Sequence, residues 1–301
     1  MEKELERYTM AAAYLPVRLR KAVLCLPEEQ QRCAEEFRLR AGQKLTVLLP
    51  GGEQALEELV ETEDLELLCD LATEFSRYAA AETIREGYLS VRGGFRIGLC
   101  GTAVIKEGAN TNLKSLSSAA LRISREHPGI SASVLPRLME NGSFRSTLIL
   151  SPPGGGKTTL LRDLVRNLSD GTVCPQALRV ALIDERGEVA VSYQGRPQMD
   201  VGRHTDVLDS CPKRIGIPMV LRAMNPQVIA VDEITLQEDL TACLLASGCG
   251  AELLATIHAS SMEELLGKPL YQRLLDTRVF RKAIWIDREQ GERRYRVEDL
   301  P

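Results

Sequence analysis

The segment from Leu148 to Leu160 constrains the fold more than any other part of the chain. It reads LILSPPGGGKTTL, so an apolar run leads into a turn with three consecutive glycines, and a helix-like run begins at Lys157. Glycine permits backbone conformations and close approaches that a Cβ would obstruct. A strand that passes through such a turn into a helix is the first half of a strand–helix–strand unit. Units of this kind build a parallel sheet covered by helices.

Strand-like and helix-like segments alternate from residue 147 onward. The predicted strands are Thr147 to Leu150, Arg179 to Asp184, Val228 to Asp232 and Leu253 to Ile257. The predicted helices are Lys157 to Leu168, Leu236 to Ala246 and Met262 to Leu275. The run from Val228 to Val231 is wholly apolar, which is typical of a strand covered on both faces. The chain ends in a predicted hairpin, Val279 to Ile286 with Arg294 to Val297, around Gln290 and Gly291.

The first part of the chain predicts a smaller domain of a different type. Short strand patterns surround an apolar stripe of helical period formed by Leu65, Leu68, Ala72, Phe75 and Ala79. Pro128 and Gly129 interrupt regular structure, and a short helix from Val134 to Glu140 is predicted after them. We therefore expect an N-terminal α+β domain over residues 1–128. An α/β core with a parallel-dominated sheet is expected over residues 129–301.

Composition argues against several classes of function. The net charge of −4 and the aromatic content of 4% argue against a protein that coats nucleic acid. No apolar run reaches the ~18 residues that span a bilayer, and the N-terminus lacks the order of a signal peptide, so a cytoplasmic protein without direct membrane insertion is expected. None of the eight cysteines forms a C-x-x-C pair, and the three histidines are scattered, which argues against a zinc site.

The glycine-rich turn predicts a phosphate-binding loop of the Walker A type. Backbone N–H groups of such a turn surround phosphate oxygens, and the start of the following helix adds positive potential. Lys157 is placed to reach the β and γ phosphates, and Thr158 to ligate Mg²⁺. The Walker A pattern has glycine where this chain has Ser151, so we expect a working loop that begins with a slightly altered turn. The predicted nucleotide-binding residues are Pro153, Gly154, Gly155, Gly156, Lys157, Thr158 and Thr159.

Two acidic clusters follow predicted strands of the same sheet. Asp232 and Glu233 end an apolar strand, where Asp232 would hold Mg²⁺ and Glu233 would orient or deprotonate the attacking water. Glu185 and Glu188 follow a second strand that would open onto the same crevice. A further strand ends at His258, which could sense the γ-phosphate. A GTPase would need an N-K-x-D sequence, which is absent, so the expected cofactors are ATP and Mg²⁺.

Taken together, these residues resemble the secretion-type ATPases of the RecA-like class and, more narrowly, the stage III sporulation AA family. The stretches that carry the resemblance are Glu36 to Gly42, Gly93 to Gly101, Leu121 to Glu126, the phosphate loop, Ile183 to Glu188, Asp200 to Gly202, Thr205 to Asp209, Met224 to Ile229 and Ala255 to Ala259. Two further departures are the run from Ile234 to Asp239, where a Gly-Arg pair is expected, and His204, where arginine is expected.

The resemblance implies properties that composition does not. It implies an ATPase that energises a sporulation channel between mother cell and forespore. It implies a ring oligomer, a hexamer, docked through membrane-protein partners of that channel on the mother-cell side of the forespore membrane. It assigns a catalytic role to Glu188 and a sensing role to His258, and it brings Arg122 and Arg125 to the nucleotide.

The residues leave alternatives open for the catalytic base and for the function. Glu233 is favoured as the base by its position beside Asp232, and Glu188 by the resemblance. Strand alternation turns Arg122 away from the apolar face that Leu121 and Ile123 share. The alternative functions are a RecA-like ATPase that depends on nucleic acid and a nucleotide-binding scaffold with little hydrolysis.

Overall fold

The chain forms two compact units, Met1–Arg125 and Glu126–Pro301. The structure is a computed structural model and describes residues 2–78, 80–106, 108–172, 176–289 and 292–300. Each unit packs its own buried core, which contains one apolar cluster in the first unit and two in the second. In the described part of the chain, no helix combines the length and the apolar character that a membrane crossing requires.

The N-terminal unit is an antiparallel sheet with helices. Its helices are α1 (Glu2–Ala12), α2 (Val17–Leu24), α3 (Glu28–Cys33), α4 (Thr62–Ala72) and α5 (Ala81–Arg85). Its strands are β1 (Glu36–Arg40), β2 (Lys44–Leu49), β3 (Gly52–Leu59), β4 (Tyr88–Val91), β5 (Phe95–Lys106) and β6 (Ala109–Arg122), in the order β3-β2-β1-β6-β5-β4. Alternate residues such as Phe37 and Leu39 of β1 are fully buried, so one face of the sheet forms the core.

The apolar stripe predicted to run from Leu65 to Ala79 is wrong in its second half. Helix α4 ends at Ala72, and the Thr73 hydroxyl donates to the carbonyl of Cys69 at 2.9 Å. The chain then turns with φ values of 49° at Glu74 and 60° at Phe75, which no helix can contain. The side chain of Phe75 is exposed, and Ala79 lies outside the described residues.

The C-terminal unit alternates strands and helices. A 3₁₀ helix (Leu135–Leu138) and a short hairpin of β7 (Met139–Glu140) and β8 (Ser143–Phe144) come first. The remaining strands are β9 (Thr147–Ser151), β10 (Val180–Asp184), β11 (Thr205–Asp209), β12 (Val228–Glu233), β13 (Glu252–His258), β14 (Lys282–Glu289) and β15 (Glu292–Asp299). The helices are α6 (Lys157–Asp170), α7 (Lys213–Ala223), α8 (Gln237–Gly248), α9 (Met262–Gly267) and α10 (Pro269–Asp276).

These strands form one sheet in the order β11-β10-β12-β13-β9-β14-β15. Neighbouring strands are parallel up to β14, and β15 joins as an antiparallel edge. Leu148 and Leu150 belong to one apolar cluster and Ile149 to the other, so β9 is covered on both faces. The predicted α/β core with a parallel-dominated sheet is confirmed, as is the N-terminal α+β unit. Because parallel strands end at one edge, their polar terminal residues meet there.

Several local predictions for this unit are wrong. The helix predicted from Val134 to Glu140 is a single 3₁₀ turn that gives way to β7. The helix predicted from Met262 to Leu275 is broken between α9 and α10, because Lys268 precedes Pro269 and is extended. Strand β11 and helix α7 were not predicted. The terminal hairpin is present, and its predicted turn residues 290 and 291 lie outside the described residues.

Candidate functional site

The glycine-rich turn connects β9 directly to α6. Gly154 and Gly156 have φ values of 73° and 103°, in the region that favours glycine. A β-carbon on Gly155 would lie 2.2 Å from the Oγ of Ser151. Ser151 is buried at the end of β9, and its hydroxyl donates to the carbonyl of Pro152 at 2.9 Å. The serine that replaces the Walker A glycine therefore packs inside the loop, where only a glycine opposite leaves room for it.

Lys157, the first residue of α6, is folded back onto this loop. Its Nζ donates to the carbonyls of Ser151 at 2.9 Å and Pro152 at 3.2 Å, and it lies 2.6 Å from the Nδ1 of His258. Burial lowers the pKa of Lys157 to about 8, and the charge of Glu233 opposes that shift. The ammonium of Lys157 is thus poorly solvated, and anionic oxygens would stabilise its charge better than the neutral carbonyls of Ser151 and Pro152 do.

Strand β13 lies between the strand of the phosphate loop and the strand of Asp232 and Glu233. The last residue of β13, His258, contacts a side chain on either side. Besides its contact with Lys157, its Nε2 lies 3.0 Å from the Oε1 of Glu233. A neutral imidazole with its hydrogen on Nε2 can donate to Glu233 and accept from Lys157 at the same time. The other oxygen of Glu233 accepts from the Nη1 of Arg186 at 3.0 Å. The structure therefore joins Lys157, His258 and Glu233, which the sequence predicted as separate site residues.

Asp232 lies beside this chain of contacts and is paired with a buried lysine. The Nζ of Lys213 is 2.6 Å from the Oδ1 of Asp232 and 2.5 Å from the Oε2 of Glu185, and Lys213 is only 3% exposed. Burial opposes the charge of Lys213, but Asp232 and Glu185 together raise its pKa above the ordinary value. Burial also raises the pKa of Asp232, and the ammonium of Lys213 opposes that shift.

Sequence reasoning missed Lys213 and Arg186. Lys213 opens α7, where the helix dipole disfavours a positive charge. Because α7 itself was not predicted, the position of Lys213 at a helix start could not be used to infer a nearby acid. Arg186 gave no signal either, because it follows Glu185 in a loop whose path cannot be read from local pattern.

The acidic residues that follow β10, namely Asp184, Glu185 and Glu188, have different surroundings in the structure. Asp184 is buried, and its carboxylate accepts the backbone N–H groups of Glu188, Val189 and Ala190 at 2.8–3.1 Å. Arg162 of α6 donates to the carbonyls of Glu188 and Val189. The loop backbone is thereby fixed to the helix that follows the phosphate loop. Glu185 turns toward Lys213, whereas the side chain of Glu188 is exposed.

Arg122 and Arg125 belong to the N-terminal unit. The side chain of Arg122 is 67% exposed, and its Nε lies 3.7 Å from the Oε2 of Glu36. Arg125 is half-buried and donates to the carbonyl of Ala34 at 2.6 Å, and this burial lowers its pKa. Leu121 and Ile123, on either side of Arg122, are buried, as the predicted alternation requires.

The residues present fit a magnesium ion that is held jointly with a nucleotide. Among the described residues, no group of three histidine, cysteine or acidic side chains is arranged to hold a metal alone. Mg²⁺ in nucleotide sites is bound by one or two side chains and completed by phosphate oxygens and water. Thr158, in the first turn of α6, and Asp232, at the carboxyl end of β12, are the residues that would contribute.

The chain is similar to sporulation proteins along nearly its whole length. The model of a family described as "Sporulation stage III, protein AA" matches residues 5–297. Stage III sporulation protein AA of Bacillus subtilis (strain 168) is 36% identical over 280 residues, which are 93% of this chain and 91% of that relative. An uncharacterized protein, ycf45 of Porphyra purpurea, is 31% identical over 145 residues, or 48% of this chain and 24% of the relative.

Solved structures of a pilus retraction motor and of an ATPase have the same fold. The pilus retraction motor PilT with bound ADP has a TM-score of 0.63 and 17% identity, over 94% of this chain and 81% of PilT. The ATPase DotB of Yersinia pseudotuberculosis has a TM-score of 0.59 and 14% identity, over 89% of this chain and 76% of DotB. At these identities the likeness concerns the fold alone.

Proposed function

The chain belongs to the Sporulation stage III, protein AA family, and we propose that it is a Mg²⁺-dependent ATPase that acts as a secretion-type motor in sporulation. The observation that carries the proposal is the set of contacts from Lys157 through His258 to Glu233. These contacts bring a phosphate-loop lysine and a carboxylate to the same edge of a parallel sheet. That edge is where ligands bind in open α/β sheets. The names of DotB as an ATPase and PilT as a motor support the same reading.

In the proposed reaction the protein supplies charge and position. Backbone N–H groups from Gly154 to Thr159 bind the phosphates, and Lys157 moves from the loop carbonyls to the β and γ phosphate oxygens. Thr158 and Asp232 would hold a magnesium ion together with the phosphates, and the ion would supply positive charge to offset the charge that develops on the transferred group. Glu233 orients and deprotonates the attacking water, and His258 holds Glu233 in place.

Glu233 is preferred to Glu188 as the base in this proposal. Glu233 is largely buried and contacts the imidazole that also contacts Lys157. Glu188 is exposed, while its backbone is tied to Asp184. Glu185 is engaged by Lys213, which supports a role in positioning the cation beside Asp232 rather than in proton transfer.

The wider assembly is proposed from the family. The protein would work as a ring, a hexamer of identical subunits, at the cytoplasmic face of the forespore membrane on the mother-cell side. Membrane proteins of a sporulation channel would be its partners, and ATP hydrolysis would energise that channel. Arg122 and Arg125 of the N-terminal unit would act on the nucleotide of their own or a neighbouring subunit.

Phosphate release from Mg–ATP by the purified chain tests the proposal, with K157A as the inactive reference. Steady release by the wild type, absent in K157A, is the expected result. Release that requires added single-stranded DNA would instead indicate the nucleic-acid-dependent ATPase. Tight ATP binding without release by any oligomer of the chain would indicate the nucleotide-binding scaffold.

A further inference from the structure

The C-terminal hairpin runs past the end of the strand that leads into the phosphate loop. Strand β14 pairs with β9 from Lys282–Thr147 to Trp285–Leu150, and it continues to Glu289. Strand β15 returns beside it, with Arg293 paired to Arg288 in the backbone register. At ~3.3 Å per residue, Arg293 lies roughly 10 Å beyond the last pair between β14 and β9. The phosphate loop leaves the end of β9 on the same side.

The side chain of Arg293 reaches that loop. A β-carbon on Gly156 would lie 2.9 Å from the Nε of Arg293 and 3.1 Å from its Cζ. Gly156 is the residue directly before Lys157 and caps the start of α6. Arg293 is exposed, so its guanidinium lies against the loop without being buried in it.

The position of the Arg293 guanidinium beside the start of α6 favours the binding of an anion. The N-terminus of a helix carries positive potential, and a guanidinium beside it is disfavoured unless negative charge is present. Lys157 adds a second cation in the same turn of chain. A polyphosphate in the loop would meet both cations and the helix N-terminus, and it would offset the repulsion among them.

We propose that Arg293 is a further nucleotide-binding residue, whose guanidinium donates to oxygens of the α and β phosphates of a nucleoside di- or triphosphate. This inference rests on the proposed function, because it takes the phosphate loop as the nucleotide site. The loop backbone around Gly156 cradles the α and β phosphates, while Lys157 reaches further toward the γ-phosphate. A planar guanidinium can donate two parallel N–H groups to phosphate oxygens, which an ammonium cannot.

Titration calorimetry of the full-length chain with ATP and with ADP, each with and without Mg²⁺, tests the assignment. We expect R293A to weaken both nucleotides by about tenfold, which is the usual size for a charge-assisted hydrogen bond at an exposed site. The loss should persist without Mg²⁺, because the contact is made to phosphate directly. R293K should fall between the wild type and R293A. R294A is the matched control: its side chain points to the other face of β15, and it should bind as the wild type does.

The outcomes separate this inference from the proposed function. If R293A binds both nucleotides within twofold of the wild type while K157A does not bind, Arg293 is not a phosphate ligand and the phosphate loop stands. If R293A weakens ATP but leaves ADP unchanged, the contact to the α and β phosphates is wrong. If K157A binds as the wild type does, the loop is not the nucleotide site and the role of Arg293 fails with it. Thermal unfolding of each variant verifies that it is folded.

Discussion

The Nζ of Lys157 lies 2.6 Å from the Nδ1 of His258, and this contact joins the phosphate loop to the end of the neighbouring strand. The same imidazole reaches Glu233 at 3.0 Å. A phosphate that enters the loop must compete with His258 and the loop carbonyls for the lysine. Nucleotide binding would therefore change the contacts of His258 and, through it, those of Glu233.

Replacement of His258 should affect turnover more than binding. We expect H258A to bind Mg–ATP within about threefold of the wild type, because the loop and Lys157 are retained. Its kcat should fall about 100-fold, since Glu233 loses the group that orients it. Parallel measurements of binding and of phosphate release provide the test. The control is H204A, which replaces a histidine next to strand β11 whose ring nitrogen contacts the Ser169 carbonyl. Unchanged turnover in H258A would contradict the role.

The lowered pKa of Lys157 predicts that nucleotide binding takes up a proton. In the free protein burial holds this pKa at about 8, and phosphate oxygens should raise it toward the ordinary value. At pH 8.5 most of the free protein has a neutral Lys157, so binding should take up roughly 0.7 proton, and much less near pH 7. Affinity should consequently decrease as the pH rises above 8. Binding enthalpies in buffers of different ionisation enthalpy measure the uptake. No uptake at pH 8.5 would show that phosphate does not contact this lysine.

The sequence predicted the elements of the site better than their connections. Asp232, Glu233 and His258 were located because they lie at the ends of buried apolar strands, and Lys157 because it follows the glycine-rich turn; both signals are strictly local. The order of the strands depends on contacts between distant parts of the chain. The sequence therefore could not show that β13 lies between β12, which carries the acids, and β9, which leads into the phosphate loop. His258 lies between Lys157 and Glu233 because of that strand order.

The remaining errors have physical causes of the same kind. Lys213 was missed because its partner Asp232 is 19 residues away along the chain and its contact depends on how α7 packs. Strand β11 is an edge strand with exposed positions, so it lacks the apolar run that identified its neighbours. The stripe beyond Ala72 had helical spacing, but left-handed residues at Glu74 and Phe75 stopped the helix.

The choice between the two candidate bases can be tested by matched glutamine variants. We expect E233Q to bind ATP within a few-fold of the wild type and to lose at least ~100-fold in kcat, because only the transition state needs the proton acceptor. E188Q should retain turnover within about threefold, since its side chain is exposed and its backbone contacts are preserved. Single-turnover phosphate release measures both. The opposite pattern would assign the base to Glu188, as the family resemblance suggested.

Removal of Lys213 should destabilise the C-terminal unit in a pH-dependent way. K213M leaves Asp232 buried without its cation, and breaking a buried ion pair costs about 3 kcal/mol at neutral pH. Without the lysine the folded-state pKa of Asp232 should rise further. Protonation therefore favours the folded state, so the destabilisation should be small at low pH and should grow as the pH rises through that raised pKa.

Urea unfolding of K213M at several pH values measures this dependence. The double variant K213M/D232N removes both charges, and it should recover much of the lost stability with a weaker pH dependence. If K213M is equally destabilised at all pH values, the effect comes from lost packing and not from the uncompensated carboxylate.

Arg122 supplies the last prediction, which concerns assembly. Its side chain is largely exposed and its Nε lies 3.7 Å from Glu36, so R122A should fold and bind ATP as the wild type does. If its guanidinium contacts the γ-phosphate, hydrolysis should fall by ~10³. The matched control is R38A on the adjacent strand, which removes another exposed partner of Glu36 and should stay active. In a ring where the arginine acts across an interface, R122A mixed with K157A should regain activity, because some interfaces pair an intact loop with an intact arginine. Full activity of R122A alone would eliminate this role.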